Sequence, residues 1–523
     1  MRNAAPLLCL SLIAAPGWSA SSDIVPRGSV LNDAFAKMAL LNALPGYSAA
    51  DFSGDGVYTR QQLALILEGA LPDLETANPS EAILVSLRAA ASDLSPELDA
   101  DGVDMGALSS ALDKSGASIG GFVQPEYRIK TGGSSDSGIG AQGVYRVTAL
   151  GTYNPRLQYA VSLSDWPKEW RRDLNNDVGD HSFTPVNEAY VAWKGSHGLE
   201  LRAGRFYNAW GPGTRGATLM SDNAPPYDQI RLRFPFSLGS RLGRNYLYTQ
   251  TAGFFKEYGA TKYLETRRIE YRFSRQWNAD VQEAFKTTSA GALWATPLPL
   301  NSQALSLDKL IPGARLKNID REFNYTVNLG AAYTPSPDDR IYGQFFIDDL
   351  RSPFGSTTKV VPRKISYLVG SAFKIPQGPS VTLEYTYADP TTYAFQSDKA
   401  IWQNGTHNWM GLPSGPNSSE IYLGVTQKFA GRITATVEGR ERRRPHNSFP
   451  APQASAFGAR VRYDSTPSSA FIVGYYDYKQ NPFPFAPGQP GYPPDTGLTP
   501  VGEGDQGTYV RRREVDLSYQ FAF

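Results

Sequence analysis

Hydrophobic positions along this chain change their period near residue 120. Before that point they recur every three or four residues, as at Leu31, Phe35, Met38, Leu41 and Leu44, which a helix gathers on one face. The stretch TRQQLALILEGAL (59–71) opens with capping-box spacing: the Thr59 hydroxyl can accept the Gln62 amide while the Gln62 side chain returns to the Thr59 amide. A third helix is predicted after Pro79 and Ser80, with Ala82, Ile83, Leu87 and Ala90 along one side. Residues 23 to about 117 therefore read as a small helical domain.

From about Phe122 the period is two. In RIEYRFSR (268–275), Ile269, Tyr271 and Phe273 alternate with Arg268, Glu270, Arg272 and Ser274. In GRITATVEGRE (431–441), Ile433, Ala435 and Val437 face away from Arg432, Thr434, Thr436, Glu438 and Arg440. NEAYVAWK (187–194) and FGARVRY (457–463) repeat the pattern. Alternation alone suits a soluble sandwich as well as a barrel. The connections separate the two. Short ones (152–154, 195–198, 335–338, 376–379, 465–468) alternate with long ones (164–186, 287–323, 389–418, 478–508). Short periplasmic turns, long extracellular loops and an even strand number define an outer-membrane barrel. Counting less regular strands near 228–234 and 246–256 gives roughly eighteen, a mainly β fold with both barrel ends on the periplasmic side. The stretch REVDLSYQFAF sets Val515, Leu517, Tyr519, Phe521 and Phe523 against Glu514, Asp516, Ser518 and Gln520. It resembles the signal by which the outer-membrane assembly machinery recognises its clients.

Composition narrows the functions. With 51 basic and 50 acidic residues the chain has no overall field for nucleic acid, which is excluded as a partner. Residues 1–21, with Arg2 before an apolar run, read as a signal peptide. The single cysteine, Cys9, falls inside it, so thiol and disulfide chemistry are not expected. Beyond it no apolar run of about 18 residues predicts a membrane helix. His181, His197, His407 and His446 lie in predicted loops without metal-ligand spacing, and no nucleophile elbow, zinc or phosphate-loop motif occurs. Carboxylates such as Glu270, Glu384 and Glu438 belong to predicted lumen faces, where polar residues are ordinary. No enzyme, cofactor or catalytic residue is expected. DFSGDGVYTRQQ (51–62) begins like a calcium loop with Asp51, Ser53, Asp55 and Gly56, yet its twelfth position is Gln62 where a bidentate glutamate is needed. ELDADGVD (97–104) likewise lacks the closing glutamate, so no metal site is assigned. The basic run GRERRRPHN (439–447) sits where a strand meets a long loop, and arginine forks there suit an acidic polysaccharide or a lipopolysaccharide phosphate as well as solvent.

The densest motif, LRAGRFYNAWGPGTRGATLMSDNAPPYDQIRL (201–232), resembles the signature of the Wzi capsule-assembly family. The matching positions are Gly204–Arg205, Trp210 to Gly213, and Asn223 to Pro225. The resemblance implies an outer-membrane barrel with a helical part in the periplasm that holds capsular or other surface polysaccharide as a lectin. It points to Arg205, Trp210, Arg215, Asp222, Asn223 and Arg231 as residues of loop architecture or ligand contact. The Gly-Pro-Gly turn also has a plain steric reading, and the loop can fold back into the lumen as a plug.

DIVPRGSVLNDAFAKMALLNALPGYSAADFSGDGVYTRQQLALIL (23–67) is similar to a surface-layer-homology domain, through its Val-Pro start, Leu-x-Gly-Tyr, Phe-x-Gly-Asp and Thr-Arg. That resemblance implies a cell-wall contact at Arg60, with peptidoglycan or another wall polymer as partner; Thr-Arg-Gln-Gln departs from the family's Thr-Arg-Ala-Glu. The division is then 1–21 leader, 22–72 surface-layer-homology-like module, 73–120 helical segment and linker, and 121–523 barrel in outer-membrane lipid and lipopolysaccharide. Two functions follow: a polysaccharide-holding surface protein, or a wall-tethered diffusion porin for small solutes.

Overall fold

The computed structural model describes residues 23–103, 115–131, 138–164, 186–236, 246–287, 323–348, 364–393, 410–443, 453–480 and 510–523, with short gaps at 27, 50, 53–56, 77–78, 102, 155, 196–197, 223–224, 258–259, 275 and 390–391. Signal peptide, all four histidines, Asn223 and residues 53–56 of the calcium-like loop lie outside the described residues.

Four helices come first: α1 (Val30–Leu40), α2 (Arg60–Thr76), α3 (Glu81–Asp93) and α4 (Ser95–Asp101). Eighteen strands follow. They are β1 (Gly116–Thr131), β2 (Gly138–Asn154), β3 (Leu157–Ser164), β4 (Val186–Lys194), β5 (Glu200–Phe206) and β6 (Tyr227–Phe236). Next come β7 (Tyr246–Glu257), β8 (Ala260–Arg272), β9 (Trp277–Thr287), β10 (Phe323–Ser336), β11 (Asp339–Asp348) and β12 (Ile365–Lys374). The last six are β13 (Ser380–Ala388), β14 (Ser418–Phe429), β15 (Ile433–Arg443), β16 (Gln453–Thr466), β17 (Ser469–Gln480) and β18 (Val510–Ala522). Each strand pairs antiparallel with its sequence neighbours, and β18 returns to β1 (Phe122 opposite Ala522, Ile129 opposite Val515). The seam is locked where Gly121 and Phe523 exchange amide-to-carbonyl bonds of 3.1 and 3.0 Å. The result is a closed meander, which leaves no edge strand for other chains to pair with.

The faces are inverted relative to a soluble protein. Val515, Leu517, Tyr519 and Phe521 point outward and are exposed, while Glu514, Asp516 and Gln520 are buried in the lumen. Aromatic pairs ring the wall near the short turns: Phe236–Tyr246, Tyr271–Phe273, Trp277–Tyr333 and Phe471–Tyr519 stand 4.4–5.2 Å apart, the interfacial girdle of a membrane barrel. One stretch breaks the rule. Glu265, Arg267 and Glu283 lie on the outward face of β8 and β9 by register, and all three are buried. Arg267 is the shared partner of the two carboxylates, reaching Glu265 at 2.6 Å and Glu283 at 3.3 Å.

The helices stand inside the lumen at the end marked by the short turns. Phe35, Met38, Leu63, Leu67, Val85 and Leu87 form their shared core. The capping box is present, with Thr59 N donating to Gln62 Oε1 at 2.9 Å and Gln62 N to Thr59 Oγ1 at 3.1 Å. The expected first helix is shorter than its periodicity: Asn42 adopts φ 57°, a left-handed conformation asparagine tolerates, so Leu41 is exposed and leaves the helical face.

Candidate functional site

The lumen is filled by two plugs. The lower one is the helical domain, held to the wall by lumen-facing charge. Arg60 is 12% exposed in its side chain and binds Glu97 at 2.8 Å and Asp93 at 3.1 Å. From the barrel, Arg202 reaches Asp93 at 3.2 Å and Arg233 reaches Glu97 at 3.1 Å. Burial opposes ionisation of both acids, yet the guanidinium groups win. Arg60 and Arg233 hold the Glu97 carboxyl below the usual range, and Arg202 and Arg60 hold Asp93 well below it. The same acids raise Arg60 above its ordinary value against the cost of burial. On the neighbouring strands β4 and β2, Glu188 accepts Val30 N at 2.6 Å, and Arg146 meets Asp33 at 2.7 Å. The structure thus places Arg60 at a helix–wall junction within the barrel.

The upper plug is the loop from Tyr207 to Pro226, which carries the Trp-Gly-Pro-Gly motif and turns inward. Trp210 is buried; its amide donates to the Met220 carbonyl at 2.8 Å and its own carbonyl accepts Gln344 Nε2 at 2.9 Å. Gly213 is required sterically, since a Cβ there would lie 2.1 Å from the Gly216 carbonyl oxygen. One carboxylate then clamps two successive amides: Glu384 accepts Thr214 N at 2.5 Å and Arg215 N at 2.9 Å, and Tyr342 OH at 2.5 Å. Thr218 N donates to Gln344 Oε1 at 3.0 Å. A second inward segment packs alongside, with Ser221 N on the Met410 carbonyl at 2.6 Å and Tyr393 OH donating to the Thr218 carbonyl at 2.7 Å.

The sequence-predicted residues separate by face. Trp210 and Arg215 belong to the loop, Arg215 with its guanidinium 5.2 Å from the Tyr422 ring centre. Arg231 faces the lumen and binds Glu200 at 2.6 Å, in the network that holds Asp93. Arg205 points the other way, paired with Asp228 at 2.9 Å on the outer wall near the long-loop end, both partly exposed. Gly204 before it has φ 132°, and a Cβ there would lie 2.2 Å from the Ala189 carbonyl, which accounts for the Gly-Arg pair. Asp222 is half-buried where the loop leaves the lumen, and Asn223 is outside the described residues. Sequence reasoning missed Asp23, Gln344 and Tyr393, and took Glu384 only as a lumen carboxylate. Each acts across more than a hundred residues of chain (Gln344 on Trp210, 134; Tyr393 on Thr218, 175), a separation that no local motif reports.

Between the helices and the far wall lies a cavity of about 720 Å³, lined by Tyr47, Tyr58 and Gln62 on one side and by Tyr422, Glu438 and Tyr476 on the other.

A closed eighteen-stranded barrel with an apolar exterior and a filled lumen is an outer-membrane β-barrel of the plugged kind. Residues 120–254, from β1 through the inward loop and most of β7, match the family described as capsule assembly protein Wzi. Its fold is similar to the solved structure of Wzi from Escherichia coli, described as an outer membrane protein involved in group 1 capsule assembly and a carbohydrate-binding β-barrel. The TM-score is 0.52 at 13% identity, covering 95% of this chain and 99% of that one. An anion-selective porin from Comamonas acidovorans matches at TM-score 0.38 and 12% identity, covering 78% of this chain and 100% of that one. OccK11 from Pseudomonas aeruginosa matches at TM-score 0.41 and 10% identity, covering 78% of this chain and 96% of that one. No curated protein sequence matches the chain.

Proposed function

We propose that this protein binds carbohydrate at the cell surface and holds capsular or another exopolysaccharide there. The supporting observation is the clamped inward loop: Glu384, Gln344 and Tyr393 fix the family motif across the lumen above a helical domain that is itself ion-paired to the wall. A barrel so braced is suited to presenting a fixed outer surface, and solute diffusion needs the opposite. Arginine–carboxylate pairs such as Arg205–Asp228 at the rim are chemistry that fits sugar hydroxyls.

Deleting the gene and measuring cell-attached against shed polysaccharide tests the reading directly. Attachment is expected to fall and the shed fraction to rise; unchanged attachment overturns it. In planar bilayers the purified protein is expected to give no steady conductance.

A further inference from the structure

The basic run at the end of β15 does not act as one cluster. Strand alternation divides it: Arg440 and Arg442 turn into the lumen, where both meet Glu420 at 3.4 and 3.0 Å. Arg443 turns outward with Glu441 at 2.7 Å and keeps 66% of its side chain exposed. Its outward company comes from strands distant in sequence. On β17, Asp477 takes Arg511 of β18 at 2.6 Å and Arg513 at 3.8 Å, the latter 48% exposed. Lys479 stands opposite Arg511 in the register and shares the outward face. Arg443, Lys479, Arg511 and Arg513 against Glu441 and Asp477 leave a formal charge of 4 − 2 = +2 on this face.

The position of this patch decides what it can hold. Directly below it the outward residues are apolar: Tyr475, Val473 and Phe471 on β17, and Val515, Leu517 and Tyr519 on β18. From Phe521, at the girdle, to Arg513 is eight residues of strand, about 26 Å of chain. Tilted at about 40°, that spans about 20 Å of membrane, which brings the cations to the top of the apolar band of about 25 Å. The long connections mark this end as the extracellular one.

We propose that the outer wall of β15–β18 is a binding site for a phosphate-bearing glycolipid of the outer leaflet. Arginine forks and the lysine ammonium take the headgroup phosphate oxygens, and the acyl chains lie along Tyr475, Val473 and Leu517. A ligand here must be both anionic and apolar, because the patch is continuous with the lipid-facing wall. An acidic polysaccharide supplies the charge and has nothing to lay on the apolar strip.

The test uses the full-length protein in detergent, with bisphosphorylated lipid A, the same lipid stripped of phosphate, and inorganic phosphate as probes, read by native mass spectrometry. The wild type is expected to retain bisphosphorylated lipid A, and the combined variant R443Q/K479Q/R511Q/R513Q to bind it about ten-fold or more weakly. D477N, which removes a carboxylate and no cation, is expected to bind at least as tightly as the wild type. Heat-modifiable migration on gels checks that each variant is folded. Equal binding of the phosphate-free lipid, equal binding by the quadruple variant, or a loss in D477N as large as in the quadruple variant overturns the proposal. So does displacement of lipid A by inorganic phosphate or by a soluble acidic polysaccharide at concentrations comparable to the lipid's.

Discussion

The carboxylate of Asp23 accepts the amide of Gly211 at 2.7 Å, and the amide of the following residue, Ile24, donates to the Gly211 carbonyl at 2.8 Å. The same carboxylate is bonded to Arg268 of β8, and the Asp23 carbonyl accepts the Arg60 amide at the start of α2 at 2.8 Å. One residue therefore ties the helical plug, the loop plug and the wall together. Asp23→Ala is expected to weaken their union by on the order of 1–3 kcal/mol, because the Gly211 amide is left in a buried site without its acceptor. Hydrogen exchange should rise at residues 208–216 and at the start of α2 together; a rise in only one of them would contradict the shared role.

Glu384 offers a sharper separation of plug from barrel. Glu384→Ala removes the acceptor of the Thr214 and Arg215 amides and leaves the Tyr342 hydroxyl only its longer contact to Thr214 Oγ1, at a cost of roughly 2–4 kcal/mol, while leaving the strand ladder of β13 intact. Bilayer recordings of this variant should show intermittent openings that the wild type lacks. Glu384→Gln, which keeps one acceptor oxygen, should show fewer.

Acid should loosen the lower plug. Asp93 and Glu97 have carboxyls held below their ordinary values by Arg202, Arg60 and Arg233, against the opposing effect of burial. A depressed folded-state value means the stabilisation is complete above the unfolded carboxylate range of about 4 and is lost as pH falls below it. Protease accessibility of α2 to α4 is expected to stay flat from neutral pH to about 5 and to rise below about 4, with the barrel itself still resistant.

The outward trio of β8 and β9 makes a prediction of the opposite kind. Arg267→Ala leaves Glu265 and Glu283 uncompensated on the membrane face and should cost about 3 kcal/mol, seen as a lower temperature for loss of the folded band on gels. Replacing all three by methionine should recover most of that loss, since the cost lies in the unpaired charge.

Much of this architecture was legible in the chain. Alternation in 268–275 and 431–441 assigned Glu270 and Glu438 to the lumen correctly, because a barrel wall one residue thick converts sequence parity directly into inside and outside. Thr59 and Gln62 were readable for a similar reason: a capping box closes over three residues. Parity also limited the reading. Alternation puts Arg440 on the face of Glu438, but the basic run 439–447 was read as a single rim feature, whereas the strand splits Arg440 and Arg442 from Arg443 between the lumen and lipid faces. Arg205 and Trp210 sit five residues apart in one motif, yet one belongs to the outer wall and the other to the lumen, because the chain leaves β5 between them. The partners that turn the motif into a plug, Glu384 and Gln344, come from strands β13 and β11 and become neighbours only when the barrel closes.

The buried charged attachments of the helical domain fall on Arg146, Glu188, Arg202, Arg233 and Arg268 of β2 to β8, whereas on the side of the 720 Å³ cavity, walled by β12 to β18, Arg340 of β11 meets the neutral Gln62 and Lys428 of β14 meets Asp51 at 3.5 Å with both side chains partly exposed. The cylinder is accordingly stiff on one flank and hollow-backed on the other. A bilayer that thins, thickens or bends around this protein will be met by a rigid arc and a compliant one. Lateral pressure would then shift the compliant arc first, and with it the strands that carry Arg443, Asp477 and Arg511.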